Sequence, residues 1–332
     1  MKAGEFGSAL ARPFDIGGVR IPNRVVLAPM AGLTTGPYRR QMKEHGVGLV
    51  FTEMVSAQGL LYKNRKTEEY LDFSEDERPL AIQLFAGSAD ALARAAGLVL
   101  ERERVPDLLD INMGCPVRKV VKTDAGSAMM GDFERAVRAA ATVVAVASRA
   151  GVPVMVKLRS GLRPGDGLAV RLAPRLEEVG VAALSVHPRA ASQYYAGKAD
   201  HSVTAGVVGA VDIPVVASGD VRSLESAGEV MAVSGAAALM VARGAAADPW
   251  LVDRLLSGES QVPSLAEVVA DLRSLLRLAS QERGEERAAR WIRKLLTWRL
   301  RPLGVPAAAI ERMRVLPTAS EVDVALAGVT WT

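Results

Sequence analysis

Hydrophobic residues along this chain fall into short continuous runs that alternate with longer amphipathic or alanine-rich stretches, from residue 24 to about residue 250. Continuous apolar runs are typical of strands that are buried on both faces, as in parallel sheets, whereas the longer stretches have the spacing of helices. The predicted strands are residues 24–28, 48–53, 80–85, 108–112, 153–158, 182–187, 213–217 and 238–241. The predicted helices between them include 89–101, 134–149, 168–179 and 223–232.

Eight strand–helix units over about 220 residues fit a closed (β/α)8 barrel of the TIM type. The alternative is a doubly wound open sheet, which would place a Gly-x-Gly-x-x-Gly turn after its first strand. The first strand here runs instead into Ala28-Pro29-Met30-Ala31-Gly32. We therefore predict an α/β protein with a TIM barrel followed by a small C-terminal helical domain.

The domain boundaries follow from a change of composition after Trp250. Residues 257–263 have the Ser, Gly and Pro content of a linker, and helical patterns follow at 265–280 and 285–301, with a loose tail from Pro317. We predict an N-terminal extension over residues 1–19, whose first residues could be foreign to the natural protein. A catalytic barrel is predicted over 20–256, and a helical domain with a tail over 257–332.

Composition narrows the class of protein. The chain has 332 residues, of which 49% are hydrophobic, and a net charge of +4 that permits an anionic partner without requiring one. No apolar stretch reaches the ~18 residues of a membrane span, and no secretory signal precedes the first strand. The single cysteine, Cys115, fits a reducing compartment and rules out an internal disulfide or a multi-cysteine metal site. We expect a cytoplasmic monomer without a metal site or membrane association.

Polar residues and turns follow nearly every predicted strand, which is where barrel enzymes carry their chemistry. In chain order these positions are Pro29-Met30-Ala31, Glu53, Gln83, Asn112 with Cys115, Lys157 with Arg159, His187, Ser218-Gly219-Asp220 and Ala242-Arg243-Gly244. Burying such groups without partners would cost a few kcal/mol each, so their convergence predicts a polar ligand. The last two turns follow strands seven and eight, the usual place for a phosphate in a barrel, and Arg243 adds a forked donor.

Cys115 lies in the turn that follows the fourth strand, in Asn112-Met113-Gly114-Cys115-Pro116. An isolated cysteine is most often a small buried hydrophobe. Here the glycine allows a ligand to approach the backbone closely and the proline stiffens the next step. The polar residues at the neighbouring strand ends favour a chemical role for the thiol over simple packing.

These motifs resemble those of the tRNA-dihydrouridine synthase family over residues ~20–250, in the same order. The similar segments are 27–32, 52–54, 83–87, 110–116, 156–161 and 218–220, together with Lys119, residues 126–128 and His187. One departure follows His187, where relatives commonly have Gly-Arg-Thr-Arg and this chain has Pro188-Arg189-Ala190-Ala191. A basic contact to RNA or phosphate is therefore expected to be missing.

The resemblance implies an FMN-dependent enzyme that uses NADPH to reduce a uridine of tRNA to 5,6-dihydrouridine. It implies a hydride from the flavin to C6 of a flipped-out uracil and a proton to C5 from Cys115, a thiol that is mainly protonated at neutral pH. Asn112 would position the uracil. The residues expected to bind FMN are Pro29, Met30, Ala31, Gln83, Lys157, His187, Ser218, Gly219, Asp220, Ala242 and Arg243.

A basic stripe is predicted on the helix at 285–301. At 100° per residue, Arg287, Arg290 and Lys294 fall on one side together with Arg301. Such a stripe is usually a solvated helix face, but with the family resemblance it favours a surface for tRNA phosphates.

Two other functions stay open from the sequence. One is a flavin barrel that acts on a free pyrimidine, in the manner of dihydroorotate dehydrogenase, with no use for the basic helix. The other is a non-catalytic RNA-binding protein with a vestigial flavin site.

Overall fold

A computed structural model describes residues 3–329 of the chain. Its strands are β1 (Phe14–Ile16), β2 (Val19–Ile21), β3 (Val25–Leu27), β4 (Val50–Phe51), β5 (Val55–Ser56), β6 (Leu80–Phe85), β7 (Leu108–Met113), β8 (Val154–Arg159), β9 (Ala183–His187), β10 (Val215–Ser218) and β11 (Ala238–Val241). Its α-helices up to the end of the predicted barrel are α1 (Ala3–Leu10), α2 (Gly36–Glu44), α3 (Ala57–Leu61), α4 (Arg65–Glu68), α5 (Ala89–Leu100), α6 (Arg118–Val121), α7 (Phe133–Ala147), α8 (Leu168–Glu178), α9 (His201–Val208), α10 (Leu224–Ser234), α11 (Arg243–Ala247) and α12 (Trp250–Ser257). The helices that follow are α13 (Leu265–Arg283), α14 (Glu285–Leu300), α15 (Ala307–Val315) and α16 (Ala319–Ala327).

Eight parallel strands form the barrel, in the order β3–β11–β10–β9–β8–β7–β6–β4. A parallel bridge between Val26 and Leu49 closes the ring, and the backbone N–H of Leu27 donates to the carbonyl of Leu49 at 2.8 Å. Helices follow the strands and cover the outer face. This arrangement confirms the predicted TIM-barrel fold.

The barrel interior is filled by small and medium apolar side chains from alternate strand positions, as the period of two requires. Val26 and Phe51 belong to this cluster, as do Met155 and Val216. A second apolar layer lies between the strands and the surrounding helices and continues into the C-terminal helices. The barrel is therefore a packed core below its polar mouth.

The N-terminal segment packs as part of the barrel. β1 and β2 form an antiparallel hairpin, and its buried Phe14, Ile16 and Ile21 join the interior cluster. α1 packs on α12, with Phe6 and Leu10 buried. Residues that the sequence assigned to an extension thus cover apolar surface of the folded body.

The C-terminal helices pack on one another and on the barrel helix α2. The expectation of a loose tail from Pro317 is wrong, because α16 is a capped helix whose Val322 and Leu326 are buried. Thr318 begins it with a capping box that includes Glu321. None of the helices within residues 3–329 has both the length and the apolar composition that a membrane span requires.

Candidate active site

Three neighbouring strands bring polar side chains to one level of the barrel mouth. Asn112 of β7 lies beside Lys157 of β8, and Lys157 lies beside Ser185 of β9. Asp110 is two residues before Asn112 and His187 two residues after Ser185, so both point to the same inner face. The apolar interior therefore gives way to a polar floor at the carboxyl ends of these strands.

The loop that carries Cys115 is held from both sides. The side-chain oxygen of Asn112 accepts hydrogen bonds from the backbone N–H groups of Gly114 at 3.2 Å and Cys115 at 2.9 Å. Arg159 donates from Nε to the carbonyl of Gly114 at 2.9 Å, and Ser127 N–H donates to the carbonyl of Cys115 at 3.0 Å. The thiol is half-buried in this braced loop.

Gln83 joins the floor through two short hydrogen bonds. Its Nε2 donates to Oδ2 of Asp110 at 2.5 Å, and its Oε1 accepts from Nδ2 of Asn112 at 2.8 Å. Burial raises the pKa of Asp110 to about 7, against the smaller opposing effects of Gln83 and Lys157. The sequence placed Gln83 and Asn112 at this mouth but did not identify Asp110.

Several polar groups of the floor have no hydrogen-bond partner among the described residues 3–329. Oδ1 of Asp110 and Oγ of Ser185 are buried without a hydrogen bond. Lys157 makes no hydrogen bond or ion pair within the described residues, and burial lowers the pKa of its ammonium group to about 8. Because unpartnered buried polar groups are costly, this floor fits a ligand rich in hydrogen-bonding groups. An isoalloxazine ring is such a ligand.

The turn after β10 makes a close backbone approach to His187. Gly219 has φ +121°, and a Cβ at this position would lie 2.9 Å from the His187 ring. Burial and the nearby positive charge of Lys157 lower the pKa of His187 far below its ordinary value. The imidazole is therefore neutral, and its Nε2 lies 3.3 Å from the guanidinium of Arg189, which can only donate.

Arg189 is a residue that the sequence did not assign to the site. It is 2% exposed and donates to both carboxylate oxygens of Asp220, at 2.9 and 2.8 Å. Ala199 N–H also donates to this carboxylate, at 2.8 Å. The carboxylate of Asp220 is thus occupied within the protein, so the Ser218-Gly219-Asp220 turn would meet a phosphate with its backbone and not with this side chain.

An exposed tyrosine stands at the mouth between two arginines. The guanidinium carbon of Arg243, the first residue of α11 after Ala242, lies 4.4 Å from the centroid of the Tyr195 ring. The guanidinium carbon of Arg159 lies 5.5 Å from the same centroid, and Nη1 of Arg159 donates to the carbonyl of Tyr194 at 2.6 Å. No local pattern in the sequence identified Tyr195, because the loop between β9 and α9 fixes its position.

The segment after β3 lies at the same mouth. Pro29 and Met30 are half-buried and Ala31 is exposed. Met30 N–H donates to Thr34 Oγ1 at 3.1 Å within this turn. Glu53, from the end of the next barrel strand, accepts from the N–H of Gly32 at 2.7 Å, so the turn is fixed by its neighbour.

Three of the basic residues predicted on the C-terminal helix lie on the exposed face of α14, and the fourth, Arg301, follows the end of that helix. Arg287 pairs with Glu69 at 2.9 Å, and Arg290 pairs with Glu286 at 3.4 Å. Lys294 is exposed and has no ion pair within the described residues. Exposed pairs of this kind contribute little to stability, so these cations can exchange their partners for a phosphate.

Among residues 3–329 there is no group of three or more His, Cys, Asp and Glu side chains with the placement to hold a metal ion.

Solved structures with a similar fold include two old yellow enzymes. An old yellow enzyme homologue from Zymomonas mobilis has a TM-score of 0.56 and 14% identity, and the match covers 78% of this chain and 95% of that one. Old Yellow Enzyme from Pichia sp. AKU4542 has a TM-score of 0.53 and 14% identity, with 77% and 88% covered. At such identities the likeness concerns the fold alone.

Sequence comparisons are more specific. The dihydrouridine synthase (Dus) family model matches residues 26–315. A tRNA-dihydrouridine synthase B of Pseudomonas aeruginosa is 36% identical over 293 residues, which are 87% of each chain. A probable tRNA-dihydrouridine synthase of Rhizobium leguminosarum bv. phaseoli is 32% identical over 306 residues, covering 92% of this chain and 94% of that one. The chain belongs to the dihydrouridine synthase family.

Proposed function

We propose that this chain is a tRNA-dihydrouridine synthase, which reduces a uridine of tRNA to 5,6-dihydrouridine with FMN as its bound flavin and NADPH as the source of electrons. The named relatives share more than four-fifths of its length at 36% and 32% identity. The observation that carries the proposal is the single thiol of Cys115 held beside a polar, partly unpartnered floor at the barrel mouth.

The residues at the barrel mouth fit a flavin in one orientation, with its ring at one set of residues and its phosphate at another. Gln83 and Lys157 would hold the edge of the ring, with the turn at Pro29, Met30 and Ala31 against it. The neutral His187 would lie beside the ring or its chain. The phosphate would be held by backbone and side-chain donors of the two last turns, which are Ser218, Gly219, Asp220, Ala242 and Arg243. When bound, the flavin supplies the hydride for C6 of the uracil ring.

Cys115 is the proposed proton donor to C5. Burial raises the pKa of its thiol, against the smaller opposing effects of the Val117 N–H and the positive charges of Arg159 and Lys157. The sulfur therefore carries a proton at neutral pH, as a general acid must. Asn112 holds the loop through the backbone and keeps one amide N–H for a carbonyl group of the uracil.

A target uridine must leave its stack to reach this mouth, so part of the protein surface must hold the tRNA. The exposed cations of α14, Arg287, Arg290 and Lys294, are the proposed surface for phosphates. Their position on the helical domain beside the barrel would let the tRNA rest there while one base enters.

The test is reduction of an unmodified tRNA transcript by the FMN-loaded protein with NADPH, with dihydrouridine measured in the product. Cys115→Ala is expected to slow this reduction by ~10²–10⁴-fold, the range for loss of a general acid. Reduction of the flavin by NADPH serves as the matched control and should be unchanged. A protein that reduces free pyrimidines but not tRNA, or that binds no flavin, would overturn the proposal. If Cys115→Ala reduces tRNA at the wild-type rate, the thiol of Cys115 is not the proton donor.

A further inference from the structure

A line of three buried side chains runs from the barrel interior to the Cys115 loop. Asp110, Gln83 and Asn112 are 0%, 1% and 7% exposed. Gln83 donates to Asp110, Asn112 donates to Gln83, and the backbone N–H groups of Gly114 and Cys115 donate to Asn112. Every hydrogen bond in this line therefore points the same way, from the loop toward the carboxylate.

The two ends of the line fix its direction. Above its pKa of about 7 the carboxylate of Asp110 can only accept. A backbone N–H can only donate, whereas a side-chain amide can turn over and exchange its oxygen for its nitrogen. If Gln83 turned over, its oxygen would face the Asp110 carboxylate and its nitrogen would face that of Asn112. Asn112 would then have to turn as well and present N–H groups to the N–H groups of Gly114 and Cys115. Asp110 thus selects one orientation for both amides.

That orientation leaves a specific set of groups for a ligand. Each amide uses one N–H within the line and keeps its second N–H, while both amide oxygens are occupied. Lys157, which neighbours Asn112 across the sheet, adds only donors. The floor formed by Gln83, Asn112 and Lys157 therefore offers hydrogen-bond donors, which suit the carbonyl oxygens of a flavin or a uracil.

We propose that Asp110 is a positioning residue that, through Gln83 and Asn112, fixes the loop of Cys115 and keeps the floor of the site a set of donors. The inference rests on the proposed function for its meaning in catalysis. Its structural part does not, because the state of the loop can be measured without tRNA. Cys115 is the single cysteine of the chain, so its alkylation by iodoacetamide reports on this loop alone.

The experiment compares alkylation rates of the FMN-loaded protein and its variants. Asp110→Ala removes the fixed end of the line, and we expect roughly tenfold faster alkylation, since hydrogen bonds to charged groups are the stronger ones. At an alkaline pH where both carboxyl groups are ionised, Gln83→Glu places two negative charges together and should have a similar effect. The double variant Asp110→Asn with Gln83→Glu reverses the bond between positions 110 and 83 but restores the orientation of Asn112, because the glutamate accepts both from the asparagine at position 110 and from Asn112. Its alkylation rate should return to that of the wild type.

Asp107→Asn is the matched control. It makes the aspartate-to-asparagine change of the double variant at a residue just before the same strand, β7. Asp107 binds Arg78 and the N–H of Leu80 away from the mouth, so its variant should alkylate at the wild-type rate. The proposal is overturned if Asp110→Ala and Gln83→Glu alkylate at the wild-type rate, or if the double variant reacts as fast as Gln83→Glu. If Asp110→Ala does not fold, the isosteric Gln83→Glu and double variants decide the question. Failure of the wild type to reduce tRNA would contradict the proposed function and leave the alkylation result standing.

Discussion

His45 is predicted to make the stability of the protein depend on pH. It caps the C-terminus of α2, and its Nδ1 lies 2.6 Å from the carboxylate of Asp253 in α12. Its Nε2 lies 3.6 Å from Asp271 in α13, and its side chain is 11% exposed. Burial alone would lower the pKa of His45, but the two carboxylates outweigh it and raise the pKa from 6.5 to about 9. The imidazolium thus ties the barrel to the C-terminal helices.

The sign and size of the effect follow from proton linkage. The pKa is higher in the folded protein than in the unfolded chain, so the stabilisation is fully present below pH 6.5 and is lost as the pH rises through about 9. At about 1.4 kcal/mol for each tenfold change in proton affinity, the rise corresponds to about 3 kcal/mol. Water around the half-exposed Asp253 screens part of this interaction, so we expect the His45 imidazolium to stabilise the folded protein by about 2 kcal/mol.

The assay is urea unfolding of the wild type and of His45→Gln between pH 6 and pH 9.5. The difference in unfolding free energy between the two proteins should shrink by about 2 kcal/mol over this range. Taking the difference cancels groups that titrate in both proteins, such as Lys43, whose pKa is lowered by burial to about 8. His201→Gln is the control: burial lowers the pKa of His201, so its difference from wild type should stay constant above pH 7. A constant difference for His45→Gln would refute the reasoning.

Three further predictions concern the proposed tRNA surface, the core and the proposed phosphate turn. Arg290→Glu with Lys294→Glu should weaken tRNA binding at least about tenfold at low salt while leaving flavin reduction by NADPH unchanged; equal affinity in a filter-binding assay would exclude α14 as the surface. Arg299→Met should lower the unfolding free energy by about 3 kcal/mol, because the buried carbonyl of Ala246 and the side-chain oxygen of Gln41 lose their donor and Asp271 loses one of its two cationic partners; urea unfolding with a loss below about 1 kcal/mol would contradict this. Gly219→Ala should reduce the FMN content of the purified protein, because its φ is +121° and its Cβ would meet the His187 ring; flavin absorbance per mole of protein at the wild-type level would count against it.

The barrel could be predicted because its strands are buried on both faces and its helices are amphipathic. The strand predicted at 80–85 is β6 without change, and the helix predicted at 89–101 ends one residue earlier, at Leu100. The strand predicted at 48–53 is reduced to β4 (Val50–Phe51). Thr52 N–H still donates to the carbonyl of Ala81, but the N–H of Gln83 donates to Thr52 Oγ1 and not to a backbone carbonyl, and the side chain of Glu53 accepts from the N–H of Gly32. Polar side chains at a strand end thus shorten the strand in a way that an apolar pattern does not show.

The site could be predicted only as far as strand periodicity extends. Asn112, Lys157 and Arg159 were predicted because they lie at strand ends. The period of two would also have added Asp110, which lies on the same face of its strand as Asn112. Tyr195 could not be found in this way. Its position depends on a loop that two buried arginines hold by its carbonyl oxygens, with Arg189 bound to those of Ala196 and Gly197. Such contacts join residues whose order along the chain carries no periodic signal.

The change of composition at residue 257 marks a change of sequence type but not a break in packing. Arg299 of α14 is 2% exposed and donates to the carbonyl of Ala246 in α11, to the carboxylate of Asp271 and to the side-chain oxygen of Gln41 in α2. α11 begins at Arg243, one of the proposed phosphate ligands. One buried guanidinium therefore connects the proposed tRNA helix with the proposed phosphate turn and with a barrel helix. Because the groups it satisfies are buried, a shift of α14 on tRNA binding would have to move α11 with it or break hydrogen bonds that water cannot replace.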